Sequence, residues 1–368
     1  MNHLLYLFLK KTKLNKGLYH LCKAKSHEQI PIGSKEVEKA QTLLNTLHAD
    51  PHNSCICQNQ VAATPQYDLQ IIVPAYNVEK YIKECLDSVL SQDTSFSYIV
   101  KVINDGSTDG TPKILESYQK NNRIKIIHQK NKGLSGARNT GLKEINARYL
   151  MFLDSDDKLA PGAIEAFMKM AKETDADIVE GSYVKFLDSW TTKRFRHTYS
   201  KNANKNSLYG FAWGKIFKAD LFAHIQFPEG YWFEDSICSL ILYPMANKVS
   251  TISHCVYCYR TNFKGISRTF RGKPKCLDSF YICKQLLNDM RTLGWEINEE
   301  QGKKIAQQFR LNANRISSLK QENVNRALFI QQSNLYQKYF SDMDSQDELV
   351  VSLLEGDYKA FKLQMKWL

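Results

Sequence analysis

Residues 148–157 read Arg-Tyr-Leu-Met-Phe-Leu-Asp-Ser-Asp-Asp. The apolar run Tyr149–Leu153 stops at the carboxylates Asp154, Asp156 and Asp157. Such a run suits a strand buried on both faces, as in a parallel sheet. Carboxylates crowded at its end repel one another unless a cation or hydrogen-bond donors sit between them. Hard cations such as Mg²⁺ or Mn²⁺ take oxygen ligands and are shared with substrate phosphates. Ligands of open α/β sheets bind at the carboxyl ends of strands. One reading is thus a metal-assisted site for a phosphorylated substrate. The other is a strand-to-helix turn whose Asp residues cap the helix after Pro161.

Three further loops follow apolar runs and carry ligand-type residues. Pro74-Ala75-Tyr76-Asn77 has a proline to set the turn and an aromatic face on which a base can stack. Asn104–Gly110 has turn-forming Gly and Asx residues, and its Asp105 can accept hydrogen bonds from a base or sugar. Asn131–Asn139 includes Lys132, Gly133 and Arg138; its glycines admit a ligand to the backbone, and Arg138 can bind phosphate or the acidic cluster. Together the four loops describe a pocket for a nucleoside diphosphate. Neither a G-x-x-x-x-G-K-[ST] loop nor a G-x-G-x-x-G fingerprint after a strand is present, which disfavours P-loop and dinucleotide enzymes. Further on, Glu234-Asp235 reads by itself as a charged pair at a helix start. Trp213 and Lys215 read as core beside a surface charge, and Arg260 as a strand-end charge.

These loops need a scaffold, and the pattern supplies one. Strands are expected over 69–73, 98–103, 124–128, 149–153 and 178–186, with helices over 79–90, 111–119, 135–144 and 161–172. Strands separated by helices of this length imply βαβ units, hence an α/β fold with a mostly parallel sheet flanked by helices. Residues 1–66 form an N-terminal extension, with a helix over 35–48 and a linker over His52–Pro65. Residues 67–270 form the main domain, 67–187 its nucleotide half and 188–270 a less regular, aromatic half. Residues 271–368 read as helical.

The chain has 368 residues, 43% hydrophobic, enough for one large core and an accessory region. Its net charge of +12 points to anionic partners. The acidic constellation at the sheet edge argues that nucleic acid is not among them. Residues 1–27 are basic; Leu4, Leu5, Phe8 and Leu9 could line an amphipathic helix on an anionic membrane surface, a helix packed on the protein, or an unstructured tail. No run approaches the roughly 18–20 apolar residues of a membrane span, and no export signal is read. Nine cysteines are then expected to be reduced thiols. Cys55/Cys57 with Cys255/Cys258 could make a zinc site, but on a strand Cys255 and Cys258 are expected on opposite faces, which favours ordinary small apolar residues.

Ile72–Asn77, Asn104–Gly110, Asn131-Lys132-Gly133 with Ala137-Arg138-Asn139, and Leu153–Asp157, in this order and spacing, resemble the nucleotide-sugar domain of family 2 glycosyltransferases, of GT-A fold. Trp213–Phe217 resembles an element of the bacterial capsular and exopolysaccharide members, Phe233-Glu234-Asp235 the acidic pair of the acceptor half, and Tyr259-Arg260 with Ser267 the segment closing on the diphosphate. The resemblance covers about 68–270. It implies that Pro74, Ala75, Tyr76, Asn77, Asp105, Lys132, Gly133, Arg138, Asp154, Ser155 and Asp156 bind the donor. Tyr76 would flank the base and Asp105 hydrogen-bond it, Arg138 would place the donor, and Asp154 would bind ribose or sugar. Asp156 would hold Mn²⁺ or Mg²⁺, Asp235 would be the base, and Glu234 the second candidate for it. Trp213, Lys215, Tyr259, Arg260 and Ser267 would serve the acceptor and diphosphate.

The implied activity is inverting transfer of a hexosyl or N-acetylhexosaminyl group from a nucleotide sugar, UDP being the commonest, to a glycan or lipid-linked saccharide in surface polysaccharide synthesis. The implied place is the cytoplasm, peripheral on the inner membrane face. A nucleotidyltransferase on a similar sheet is disfavoured, because Pro74–Asn77 stands where its Gly-rich basic loop would be. The oligomeric state stays open, a dimer included.

Overall fold

The computed structural model describes residues 27–187, 190–263, 265–295, 297–343 and 345–367. The expected N-terminal amphipathic helix lies outside them. Along the chain, helix α1 (Ser34–Leu47) precedes strands β1 (Gln60–Val61) and β2 (Tyr67–Ala75). Then follow α2 (Ile82–Leu90), β3 (Tyr98–Asn104), α3 (Thr111–Glu116), β4 (Ile124–His128), α4 (Gly133–Leu142), β5 (Glu144–Ile145), β6 (Ala147–Phe152), β7 (Lys158–Leu159) and α5 (Ala163–Thr174). Strands β8 (Ile178–Leu187), β9 (Trp190–Phe195), β10 (Lys215–Lys218) and β11 (Val249–Arg260) come next. Helices α6 (Asp278–Thr292), α7 (Glu299–Ile316), α8 (Glu322–Phe340), α9 (Glu348–Glu355) and α10 (Tyr358–Trp367) follow.

The chain divides into two compact units, Pro51–Thr269 and a second made of the residues up to Asp50 with Phe270–Leu368. In the first, the sheet order is β4-β3-β2-β6-β10-β8-β11-β7, with β9 on β8. β4, β3, β2 and β6 run parallel, as the βαβ pattern requires. β10 enters antiparallel between β6 and β8, pairing Ile216 with both Met151 and Val179. β10 could not be read from periodicity because four residues with fully buried Ile216 and Phe217 show no alternation. β2 is buried from Leu69 to Ala75. Pro74 is tolerated there because the β2–β6 register ends at Ile72, so no bond to β6 is lost. Helix α2 turns Ile82, Cys85, Leu86 and Val89 to the core at helical spacing. Helix α4 lies so close to β2 that a Cβ on Gly141 would stand 2.6 Å from Ile72 Cγ2.

The 52–65 stretch is not a free linker. Its backbone is taken up by the domain: Cys57 N–H donates to His224 O (3.0 Å), Asn59 N–H to Ala223 O (2.9 Å), and β1 pairs with β5. The opposite-face expectation for Cys255 and Cys258 is also corrected. Register shifts in β11 leave Cys255 opposite Ser182 and Cys258 opposite Val184, two positions apart on β8 and so on one face.

In the second unit, α1 is bound to the C-terminal helices. His48 Nε2 meets Asp278 Oδ1 at 2.7 Å, Lys284 pairs with Asp50 at 3.0 Å, and Gln331 Nε2 donates to Val37 O at 2.6 Å. Helix α7 opens with a capping box, Asn298 and Gln301 each satisfying the other's backbone N–H. Among the described residues no helix is long and apolar enough to cross a membrane.

Candidate active site

Helix α4 begins at Gly133, whose φ of +75° suits glycine. Its approach is set by Asp105, whose Oδ1 accepts from Lys132 N–H (2.8 Å) and Gln129 Nε2 (2.6 Å). One turn on, Arg138 points inward, its side chain 1% exposed. Its guanidinium lies over the Phe227 and Phe152 rings, 5.0 and 5.9 Å from their centroids. It gathers three carboxylates: Nη1 donates to Glu234 Oε1 (2.7 Å) and Asp235 Oδ1 (3.4 Å), and Nη2 to Asp154 Oδ1 (2.9 Å). A buried cation with three acidic partners is a hub, since each carboxylate would otherwise be desolvated without a counter-charge. Sequence left open whether Arg138 binds phosphate or the acidic cluster; the structure places it on the cluster.

The acidic pair follows Phe233, a non-glycine residue held at φ +65°. That left-handed backbone is strained for a bulky side chain and persists only where the surroundings enforce it. Asn139 helps: its side chain donates to Phe227 O and accepts from Phe227 N–H, both at 2.8 Å, pinning the incoming loop to α4. Glu234 is 8% exposed, and burial pushes its carboxyl up to about 7, helped by Asp235 and opposed by Arg138. Asp235 is more open, at 27%, and accepts from Ala212 N–H at 3.2 Å. Burial raises its pKa as well, with Arg138 opposing and Asp154 adding to the rise.

At the end of β6, Asp157 N–H donates to Asp154 O (3.0 Å), making the turn the sequence allowed. Asp157 does more than turn the chain. Its Oδ2 accepts from Tyr257 OH (2.8 Å) and its Oδ1 from Arg260 N–H (2.6 Å), which ties β11 to the loop. Asp156 accepts from Asn262 Nδ2 at 2.8 Å, and burial followed by Asp154 raises its pKa. Ser155 is buried between the two carboxylates.

Arg260 and Lys215, both expected in the acceptor and diphosphate region, are engaged by protein groups in the structure. Arg260 is spent on protein: Nε donates to Asp156 O (2.7 Å), Nη2 pairs with Glu84, and the guanidinium lies over Tyr81 and Phe186. Lys215 is fully buried; Nζ meets Glu180 Oε2 at 2.7 Å and donates to the carbonyls of Tyr209, Phe211 and Trp213. It holds the loop whose Ala212 amide fixes Asp235. Lys215→Met is expected to destabilise by about 3–5 kcal/mol, because it strands the Glu180 carboxylate in the core; a denaturant midpoint near wild type would remove that role. The Ser267 side chain lies outside the described residues.

In residues 67–187, Tyr76 is 50% exposed. Pro74 and Ala75 are buried in β2. Asn77 (φ +52°) links two loops, its N–H donating to Ser107 Oγ (3.1 Å) and its Oδ1 accepting from Thr108 N–H (2.8 Å). Trp213 is stacked with Phe211 (4.5 Å), Tyr257 (4.5 Å) and Tyr259 (5.1 Å). Sequence reasoning missed Asn139's role, Tyr257, Asn262, Glu84 and the Glu180–His197 pair. Only Asn139, within a quoted motif, carried a local signal.

The family model described as Glycosyl transferase family 2 matches residues 70–227. Glycosyltransferase GlyA of Streptococcus pneumoniae is 35% identical over 224 residues, 56% of this chain and 32% of that protein. Uncharacterized glycosyltransferase EpsJ of Bacillus subtilis is 35% identical over 211 residues, 53% of this chain and 61% of that protein. The chain thus spans less than two thirds of the length of these relatives. Among solved structures, S. aureus TarS 1-349 in complex with UDP-GlcNAc superposes with a TM-score of 0.54 at 20% identity, covering 80% of this chain and 89% of that one; this likeness concerns the fold. Residues 70–227, under half of the chain, thus match the family 2 glycosyltransferases, and the fold is of the GT-A type.

Proposed function

We propose that the protein transfers a hexosyl or N-acetylhexosaminyl group, with inversion, from a UDP-sugar to a hydroxyl of a glycan or lipid-linked saccharide in bacterial surface polysaccharide synthesis. The observation that carries this reading is the convergence of Asp154, from the donor loop, with Glu234 and Asp235 on one buried guanidinium, Arg138. The fold neighbour bound to UDP-GlcNAc supports the choice of nucleotide sugar. Tyr76 stacks on the base and Asp154 contacts the sugar. Asp105 would reach the base only through the oxygen not engaged by Gln129 and Lys132. Asp235 is the base: it is the more open of the acidic pair and is oriented by Ala212 N–H. It takes the acceptor's proton as the acceptor oxygen attacks the anomeric carbon opposite the departing diphosphate, and one displacement inverts the centre.

The acidic loop fits a divalent cation. Burial and the neighbouring Asp154 make the Asp156 carboxylate costly to ionise without a cation, and Arg260 is turned to Glu84 and a carbonyl rather than to the Asp156 carboxylate. Among the described residues no three side chains form an all-protein metal site, which suits a cation held by one or two carboxylates and completed by substrate phosphates. Asp156 would hold Mn²⁺ or Mg²⁺, which when bound neutralises charge on the leaving diphosphate. We infer that the protein works in the cytoplasm, peripheral to the inner membrane face.

The test is a panel of nucleotide sugars scored for metal-dependent diphosphate release. A UDP-sugar is expected to be turned over, and Asp156→Ala to lower turnover at least about a hundredfold with the fold intact. Near-normal metal-dependent turnover in that variant would sink the metal assignment; no release from any sugar nucleotide would sink the activity.

A further inference from the structure

Beside the base, three strands carry an arrangement that the transfer reading leaves unused. On the face covered by Trp213, Lys193 of β9 stands directly opposite Lys185 of β8, and Lys185 opposite Tyr259 of β11. Lys185 Nζ lies 5.1 Å from the Tyr259 ring centroid and 5.4 Å from that of Phe195, and Lys193 Nζ lies 4.7 Å from the same Phe195 ring. Like charges directly opposite each other across a strand pair are destabilising. A third cation adds to them: burial first, then Lys193 and Arg268, lowers the Lys185 ammonium's pKa. Arg268 itself is exposed, over the ring of the exposed Phe263. Among the described residues, none of these three cations is paired with a carboxylate, although the other buried and half-buried cations around them, Lys158, Lys215 and Arg260, each are.

The patch connects directly to the chemistry. The Tyr259 ring under Lys185 is stacked on Trp213 (5.1 Å, 24° between planes). Trp213 follows Ala212, whose amide holds Asp235. This chain of contacts links the cations to the loop that holds Asp235, so a molecule with its hydroxyl at Asp235 would meet them with another part.

We propose that Lys185, Lys193 and Arg268 bind a phosphate group of the acceptor, so that the acceptor is a phosphate-bearing saccharide. This rests on the glycosyltransferase reading and deepens it. A phosphate takes several charge-assisted hydrogen bonds at once, which relieves the repulsion among the three cations. Lysines suit this as point charges.

The test uses the full chain saturated with UDP and Mn²⁺, so that donor phosphate sites are filled. The probes are a short glycerol phosphate oligomer, uncharged oligoglycerol of the same length, and phosphatidylcholine vesicles containing phosphatidylglycerol. The oligomer is expected to bind, more weakly as salt rises, and oligoglycerol not to bind. The double variant Lys185→Gln/Lys193→Gln, and separately Arg268→Gln, are expected to weaken the oligomer at least about tenfold and to leave UDP affinity and the unfolding midpoint unchanged. Equal binding of oligoglycerol, or unchanged oligomer binding in both variants, overturns the proposal. A matching loss of UDP affinity overturns it by assigning the cations to the donor. Vesicle binding that the variants abolish, without oligomer binding, overturns it in favour of a lipid surface. If wild-type protein binds and turns over no nucleotide sugar, the transferase reading fails on that result alone, and oligomer binding still judges the phosphate site.

Discussion

Asp235→Asn is expected to lower sugar transfer by about 10²–10⁴-fold while nucleotide binding persists. Asparagine keeps the shape, and its oxygen still accepts from Ala212 N–H and Arg138, so the loop stays in place. What disappears is the group that can accept a proton. The pH dependence follows from the same surroundings. Burial and Asp154 raise the Asp235 pKa against the pull of Arg138, so the wild-type rate is expected to climb with pH on a limb above the ordinary carboxylate range. The variant's residual rate should lack that limb. Glu234→Gln is the control: Glu234 is 8% exposed and in contact with Arg138, and its loss is expected to cost far less in turnover. Full transfer in Asp235→Asn together with loss in Glu234→Gln would hand the base to Glu234.

The second large effect is on stability. Arg138→Met is expected to cost about 3–5 kcal/mol, read from denaturant unfolding, because it leaves buried negative charge without its counter-charge. The sign of its pH dependence is fixed by what Arg138 does to its partners. It lowers the pKa values of Glu234 and Asp235, so its removal raises them further above their unfolded values. A carboxyl whose folded pKa is raised destabilises the fold once pH passes its unfolded value. The deficit should therefore be small near pH 4 and grow through neutrality, where Glu234 titrates at about 7 even in the wild type. Adding Glu234→Gln to Arg138→Met should recover part of the loss. A change below about 1 kcal/mol at neutral pH, the range of exposed ion pairs, would show that Arg138 is not the hub.

Particular residues show how much could be read without coordinates. Tyr76, Asp105, Lys132 and Asp156 stand at strand ends because an apolar run before a Gly- or Asx-rich turn marks where a strand stops, and a parallel sheet brings such ends to one edge. Arg138 was visible as a cation in a glycine-bearing loop, but not its three partners, of which Glu234 and Asp235 are 96 and 97 positions away. Lys215 was misplaced for a related reason. Its spacing from Trp213 says nothing of Glu180, 35 positions earlier, or of the carbonyls that enclose it (215 − 180 = 35). Arg260 pairs with Glu84, a residue on a helix with no motif of its own.

The sequence by itself determined much of residues 67–187: their strand and helix order, their four loops and the carboxylates those loops carry. These depend on local properties, namely periodicity of burial, turn chemistry and charge within a few residues. Tertiary structure decided the rest. It inserted β10 antiparallel into the sheet, brought Cys255 and Cys258 onto one face through bulges, and turned Arg260 and Lys215 inward. It also joined the acidic pair to the donor loop through Arg138 and set Lys185 against Lys193. The physical reason is that electrostatic partnership acts through space and falls with distance and solvent exposure. Which charge meets which ligand is therefore settled by burial and proximity in the folded chain, which local spacing does not encode.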